Sequence, residues 1–223
     1  MAVEVHGHDE LAERAAEWIA VRMKPAVAAR GRFTLAVSGG STPAAMFAAL
    51  SQLALPWAEV HVFQVDERVA PDDDPDRNLG DLSANLLDRV PVHAHVMDVT
   101  APDLDDAARR YAAELRAVTD DGVLDVVHLG LGDDGHTASW PPGDPVIDVE
   151  DADVAITQPY RGRVRMTLTV PTVNRARDVM FLAAGAGKAE MVQKLVVRDP
   201  GIPASRVRPD ATLLVDERAA AGL

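Results

Sequence analysis

Apolar and polar positions follow two rhythms along this chain, and the rhythms divide it into helices and buried strands. Between Asp9 and Ala29, Leu11, Ala15, Trp18, Ile19 and Arg22 form a largely apolar stripe at helical spacing, with Glu10, Glu13 and Glu17 outside it. Phe33–Val37 is a continuous apolar run too short for a helix, as in a strand buried on both faces. Ala44–Leu53 reads as the next helix, with Thr42 as its cap and Pro43 at its first position. Val60–Val65 is a second strand, after which Asn78 is suited to cap a helix through Leu87. Leu104, Ala108, Tyr111, Leu115 and Val118 recur at helical spacing. Further strands are read at Val123–Leu129, Val154–Gln158, Val164–Val170, Val179–Ala183 and Leu213–Val215. Pro171–Arg175 reads as a short helix, a helix with Met191, Val192 and Leu195 inward follows Lys188, and Asp216 is expected to cap a short terminal helix. Apolar strands alternating with helices predict an α/β fold with a mostly parallel sheet.

Candidate chemistry falls in the loops that follow strands, where open parallel sheets bind ligands. Leu129–Pro142 reads Leu-Gly-Leu-Gly-Asp-Asp-Gly-His-Thr-Ala-Ser-Trp-Pro-Pro. Its Gly130-x-Gly132-x-x-Gly135 matches a dinucleotide fingerprint in letters only. Asp133 and Asp134 would repel a pyrophosphate, and Pro141-Pro142 prevents a long helix from starting there. A plain turn with a solvated histidine is one reading; a catalytic histidine, His136, held by a glycine loop is the sharper one. After the first strand, Gly39 and Gly40 supply backbone N–H groups and Ser41 and Thr42 add hydroxyls at a helix start, an arrangement suited to a phosphate. No Gly-Lys-Ser/Thr follows, so this is not a Walker loop. Asp66-Glu67-Arg68 leaves the second strand either as a solvated exit or as a second pocket wall, with Arg68 reaching an oxyanion or a hydroxyl. Arg161, Arg163 and Arg165 form a basic cluster, and Lys188 begins a helix as a candidate phosphate contact. His93 and His95 share a strand face without further ligands nearby, which argues against a metal site. Ser38, Ser41 and Ser139 lie outside any Gly-x-Ser-x-Gly elbow, which argues against a serine nucleophile.

Composition narrows the classes. The net charge of −13 disfavours nucleic acid and means that an anionic substrate needs a local basic pocket, in a chain whose only lysines are Lys24, Lys188 and Lys194. Cysteine is absent, which removes disulfide and thiol chemistry and fits a reducing compartment. There is no apolar run of membrane length and no signal-peptide pattern at the start. A cytoplasmic protein without membrane association is expected. The 223 residues suit one domain, 1–223.

Five segments in order carry a resemblance: Ser38-Gly39-Gly40-Ser41-Thr42-Pro43, Asp66-Glu67-Arg68, Gly130 to Ser139, Arg165-Met166-Thr167-Leu168-Thr169, and Gly187-Lys188-Ala189. The chain resembles the 6-phosphogluconolactonase family, whose fold is shared with the glucosamine-6-phosphate deaminases. The resemblance implies a Rossmann-like three-layer sandwich, with a mostly parallel central sheet flanked by helices. It implies hydrolysis of 6-phospho-D-glucono-1,5-lactone to 6-phosphogluconate in the oxidative pentose phosphate pathway, with neither metal nor organic cofactor; a monomer is expected. His136 would be the base, with Asp134 as the candidate to orient it. Arg68 would sit near the reacting end, with Asp66 beside it in the candidate catalytic set. Gly39, Gly40, Ser41, Thr42, Arg165 and Lys188 would hold the phosphate, and Arg77 is a possible further member. The family commonly has Ser-Leu-Phe-Pro-Gly where this chain has Ser139-Trp140-Pro141-Pro142-Gly143. The deaminases carry a glutamate five residues after the histidine, where this chain has Pro141, and Asp-Glu-Tyr in place of Asp66-Glu67-Arg68. A non-catalytic sugar-phosphate sensor of this fold would carry a DNA-binding helix-turn-helix, for which the chain has no room.

Overall fold

In the computed structural model, which describes residues Met1–Leu223, seven strands form one parallel sheet. They are β1 (Ala2–His6), β2 (Phe33–Val37), β3 (Val60–Gln64), β5 (His93–His95), β6 (Val126–Leu129), β9 (Asp178–Ala183) and β10 (Thr212–Asp216). Their order is β1-β10-β9-β6-β2-β3-β5, and every neighbouring pair is parallel. The central strands β2 and β6 are buried along their whole length, which is why they read as unbroken apolar runs. Alternate residues of β2 serve opposite faces. Leu35 and Val37 pack with Ile19 and Met23 of helix α1 (Leu11–Arg30) and with Met46 and Phe47 of helix α2 (Ser41–Ser51). Ala36 packs in the opposite layer with Tyr111 and Leu115 of helix α4 (Leu104–Val118) and Val192 and Leu195 of helix α6 (Ala189–Val196). The result is a three-layer α/β sandwich of the Rossmann-like kind. None of its helices is long and apolar enough to cross a membrane.

A second, antiparallel sheet was not foreseen: β4 (Asp66–Arg68), β8 (Arg165–Leu168) and β7 (Val154–Ile156), with β8 in the centre. Strands β7 and β8 lie within the expected Val154–Gln158 and Val164–Val170, but β4 is too short for a period to show, so the pairing could not be read. In β4 the register pairs Asp66 with Thr167 and Arg68 with Arg165. The charged triplet is therefore a strand, whose alternation sends Asp66 and Arg68 to one side and Glu67 to the other. Strand β1 was also unforeseen, because it is an edge strand with a mostly exposed pattern.

Three expected helix signals resolve differently. Helix α2 begins at Ser41 with Gly40 as its cap residue, so Thr42 lies inside the first turn and is not the cap. Pro43 sits in that same turn, where a missing N–H costs no hydrogen bond. Asn78 does not cap helix α3 (Asn78–Leu82), which continues as a wider turn over Ser83–Leu87. The buried carboxylate of Glu67 caps it from strand β4 instead, accepting from Asn78 N at 2.8 Å and Leu79 N at 2.9 Å. No terminal helix follows β10. Asp216 closes a turn by accepting from Ala219 N at 2.8 Å, and it also accepts from Gly185 N at 2.9 Å.

Candidate active site

The strand order reverses between β2 and β6. From β2 the chain proceeds outward through β3 to β5, and from β6 it proceeds the other way through β9 to β10. Loops leaving the carboxyl ends of β2 and β6 therefore diverge, and a crevice opens between them. A cleft of about 240 Å³ lies there, lined by Ser38 and Gly39 from the first loop and Gly130 to Gly132 from the second. Asp66 and Arg68 of β4 and Arg165 of β8 line it too, with His136, Arg161 and Lys188.

The loop after β6 is built to hold the imidazole. Gly132 N donates to His136 O at 2.8 Å, folding the loop back on itself. A Cβ on Gly132 would stand 2.0 Å from His136 Nδ1, so only glycine leaves room for the ring. Asp134 Oδ1 accepts from His136 Nδ1 at 2.5 Å and from the His136 backbone N at 3.2 Å. With Nδ1 committed to a carboxylate, Nε2 carries the lone pair, and it has no partner within the protein. Burial pushes the Asp134 carboxyl up, but hydrogen bonds from Tyr160 and His136 outweigh it and hold the group well below the usual carboxylate range. Trp140 lies outside the cleft lining; it is fully buried and donates from Nε1 to Leu168 O at 2.8 Å.

The opposite wall is a cross-strand pair of arginines, Arg68 and Arg165. Asp66 is buried beneath them and accepts from Ser139 Oγ at 2.6 Å. Burial raises its pKa, against the lowering effect of the Ser139 hydrogen bond and the charges of Arg165 and Arg68. Arg165 reaches the same hydroxyl at 3.4 Å, and burial lowers its own pKa. Its Nε is buried without a partner, a donor that a ligand anion would satisfy. Lys188 is joined to Asp133 of the histidine loop, whose carboxyl that lysine holds down.

Of the expected residues, Gly39, Asp66, Arg68, His136, Arg165 and Lys188 converge on the cleft, with Asp134 behind His136. Gly40, Ser41 and Thr42 do not line it; they form the start of α2 next to Gly39, with no side-chain cap on that helix end. Arg77 turns away from the cleft. Its guanidinium lies 3.2 Å from buried Glu67 and donates to Ala70 O at 3.0 Å, which makes it a brace for the loop after β4. Sequence reasoning missed the partners of the site residues: Asp133 for Lys188, Ser139 for Asp66, and Tyr160, which donates to Asp134. Arg161 was visible only as part of a basic cluster, and it lines the cleft. His93 and His95 do not build a metal centre. Their rings stack against His61, with His61 Nδ1 and His95 Nε2 2.9 Å apart, and no group of three potential ligands converges.

Residues 6–215 match the family described as glucosamine-6-phosphate isomerases/6-phosphogluconolactonase. The 6-phosphogluconolactonase of Synechocystis sp. is 38% identical over 96% of this chain and 94% of its own. Among solved structures, 6-phosphogluconolactonase from Thermotoga maritima superposes with a TM-score of 0.86 at 27% identity, covering 96% of this chain and 98% of that one. A monomeric glucosamine-6-phosphate deaminase superposes with a TM-score of 0.87 over both full chains at 21% identity, a likeness of fold alone.

Proposed function

The chain belongs to the glucosamine-6-phosphate isomerase/6-phosphogluconolactonase family, and from that membership we propose that its cleft hydrolyses 6-phospho-D-glucono-1,5-lactone to 6-phospho-D-gluconate. His136 acts as the base. Its Nε2 takes a proton from water as the water oxygen bonds to the lactone carbonyl carbon. The tetrahedral oxyanion is stabilised by Arg68, the cleft arginine at the reacting end. On collapse the bond from the carbonyl carbon to the ring oxygen breaks, and the imidazolium returns its proton to that oxygen. The acid product then ionises. No covalent intermediate is needed, because a lactone is already an activated ester.

The observation that carries this reading is the commitment of His136 Nδ1 to Asp134, which leaves Nε2 unpaired at a cleft rich in cations. The substrate phosphate is held by Lys188 and Arg165 together with Gly39, which lies just ahead of the uncapped start of α2. Asp66 keeps Ser139 and the arginine pair in register at the base of the cleft. The lack of cysteine fits a reducing compartment and supports the cytoplasm.

Acid release from freshly made lactone, above its spontaneous rate, is the direct assay. Ammonia release from glucosamine 6-phosphate is the opposing one. The expected outcome is rapid turnover in the first and none in the second; the reverse would assign the cleft to the deaminase branch.

A further inference from the structure

Asp134 is held from two sides, and the reaction scheme above uses only one of them. Its Oδ1 takes both N–H groups of His136, while Oδ2 accepts from the hydroxyl of Tyr160. Tyr160 comes from the hairpin that joins β7 to β8, far from the histidine loop in sequence. The hairpin is closed by Tyr160 N to Arg163 O at 2.9 Å and Arg163 N to Tyr160 O at 3.2 Å. Its two central residues have positive φ, Arg161 at 51° and Gly162 at 79°, the turn that matches the twist of the flanking strands. Arg163 fastens the hairpin to the loop after β4 through Asp74 at 2.8 Å and Asp76 at 3.1 Å. The Tyr160 ring lies edge-on to the His136 ring at 5.6 Å, and the Arg165 guanidinium lies 5.0 Å from the Tyr160 ring centre. No other side chain competes for Oδ2. Arg161 comes only to 3.9 Å and is exposed.

We propose that Tyr160 is a positioning residue for the hydrolysis, fixing the Asp134 carboxylate so that His136 presents Nε2 to the water that attacks the lactone. The proposal rests on the reading of His136 as the base. A carboxylate on a loop has a free rotor, and a histidine paired with it inherits that freedom. A second donor on the far oxygen removes the rotor and keeps Oδ1 aimed at the ring. The phenol is suited to the task because burial and the Asp134 charge both favour its protonated, donating form. The hydroxyl also draws charge away from Asp134, which tempers the grip of the carboxylate on the imidazolium and lets the proton leave for the ring oxygen.

The test compares Tyr160→Phe, Asp134→Asn, the double variant Asp134→Asn/Tyr160→Phe and His136→Ala on the fresh lactone. Tyr160→Phe keeps the ring edge and removes only the hydroxyl. It is expected to lower kcat by about 10-fold, the worth of one hydrogen bond to a charged group, with KM little changed. The acid limb of its kcat/KM profile is expected to move to higher pH, because an Asp134 deprived of a donor binds the imidazolium more tightly. The double variant is expected to be no slower than Asp134→Asn alone, since both substitutions break one unit. A Tyr160→Phe enzyme with wild-type kcat and an unmoved acid limb, beside a dead His136→Ala, overturns the role of Tyr160 and leaves the base intact. So does a loss that is additive with Asp134→Asn, or one that follows a fall in the folded fraction alone. An active His136→Ala instead overturns the reading of the base.

Discussion

Two histidines on the same strand-and-loop segment live under opposite conditions. His128 lies on β6, fully buried beside Phe47, with neither ring nitrogen hydrogen-bonded, and burial pushes its pKa down to about 3. His136 lies in the loop beyond, with one nitrogen held by Asp134 and the ring at the cleft. The first is a neutral core residue that the packing tolerates. The second has an orienting partner on one side and access on the other. The proposed role of His136 as base rests on that partner and that access, because residue type alone does not distinguish the two.

The largest expected effect comes from erasing the second member of this pair. His136→Ala is expected to fold normally and to lose about 10²–10⁴-fold in kcat, measured as acid release above the spontaneous rate. His128→Leu is expected to leave kcat and KM at wild-type values; a large loss of turnover would dissolve the contrast. Lys188→Ala should raise KM for the phosphorylated lactone by about 10- to 100-fold, the value of a charge-assisted hydrogen bond, with a smaller change in kcat. Glucono-1,5-lactone without its phosphate should be a poor substrate and indifferent to that substitution. Equal impairment on both lactones would remove Lys188 from the phosphate site.

A smaller effect reads the buried member directly. An unfolded histidine protonates near pH 6.5, whereas His128 resists until about pH 3. As pH falls between those values the unfolded chain binds a proton that the folded chain refuses. Stability from this group is therefore present above about pH 6.5 and is lost on the way to pH 3, with a slope approaching ~1.4 kcal/mol per pH unit. His128→Leu should flatten that part of the curve, seen by urea unfolding at pH 7 and pH 4.5, and should cost little at pH 7 because no hydrogen bond is broken. Smallest of all is the response to chelation. Activity should survive exhaustive treatment with EDTA, and loss restored by one divalent ion would mean that His136 does not generate the nucleophile unaided.

How much of this was legible depends on where each residue finds its partner. Strands β2, β3, β6 and β9 could be read because a strand buried on both faces writes its environment into consecutive letters. Likewise His136 and Asp134 could be read, because the loop that holds them is local. Glu67 could not, since its function as cap for α3 depends on a strand and a helix meeting in space. The same holds for Arg77, whose charge suggested the cleft but whose partner Glu67 lies behind it. Tyr160 had no signal beyond the Arg161-Gly162 turn after it, because its partner Asp134 is brought near only by the second sheet. Trp140, a departure from the common family pattern, proved to be a matter of packing against β8.

The edge strand β1 has one neighbour in the sheet, β10, so the sheet pairs its first strand in chain order with its last. Until β10 is made, β1 has no strand to pair with, and it stays unpaired while the strands between them are formed. The same late arrival completes the cleft. Asp216, at the end of β10, accepts from the backbone of Gly185, which starts the turn that carries Lys188. A chain that has already folded β6 and its histidine loop therefore still lacks the anchor for the turn that carries Lys188. Completion of the cleft waits on β10, and a chain cut short of that strand would hold His136 in its loop with the Lys188 turn unmoored.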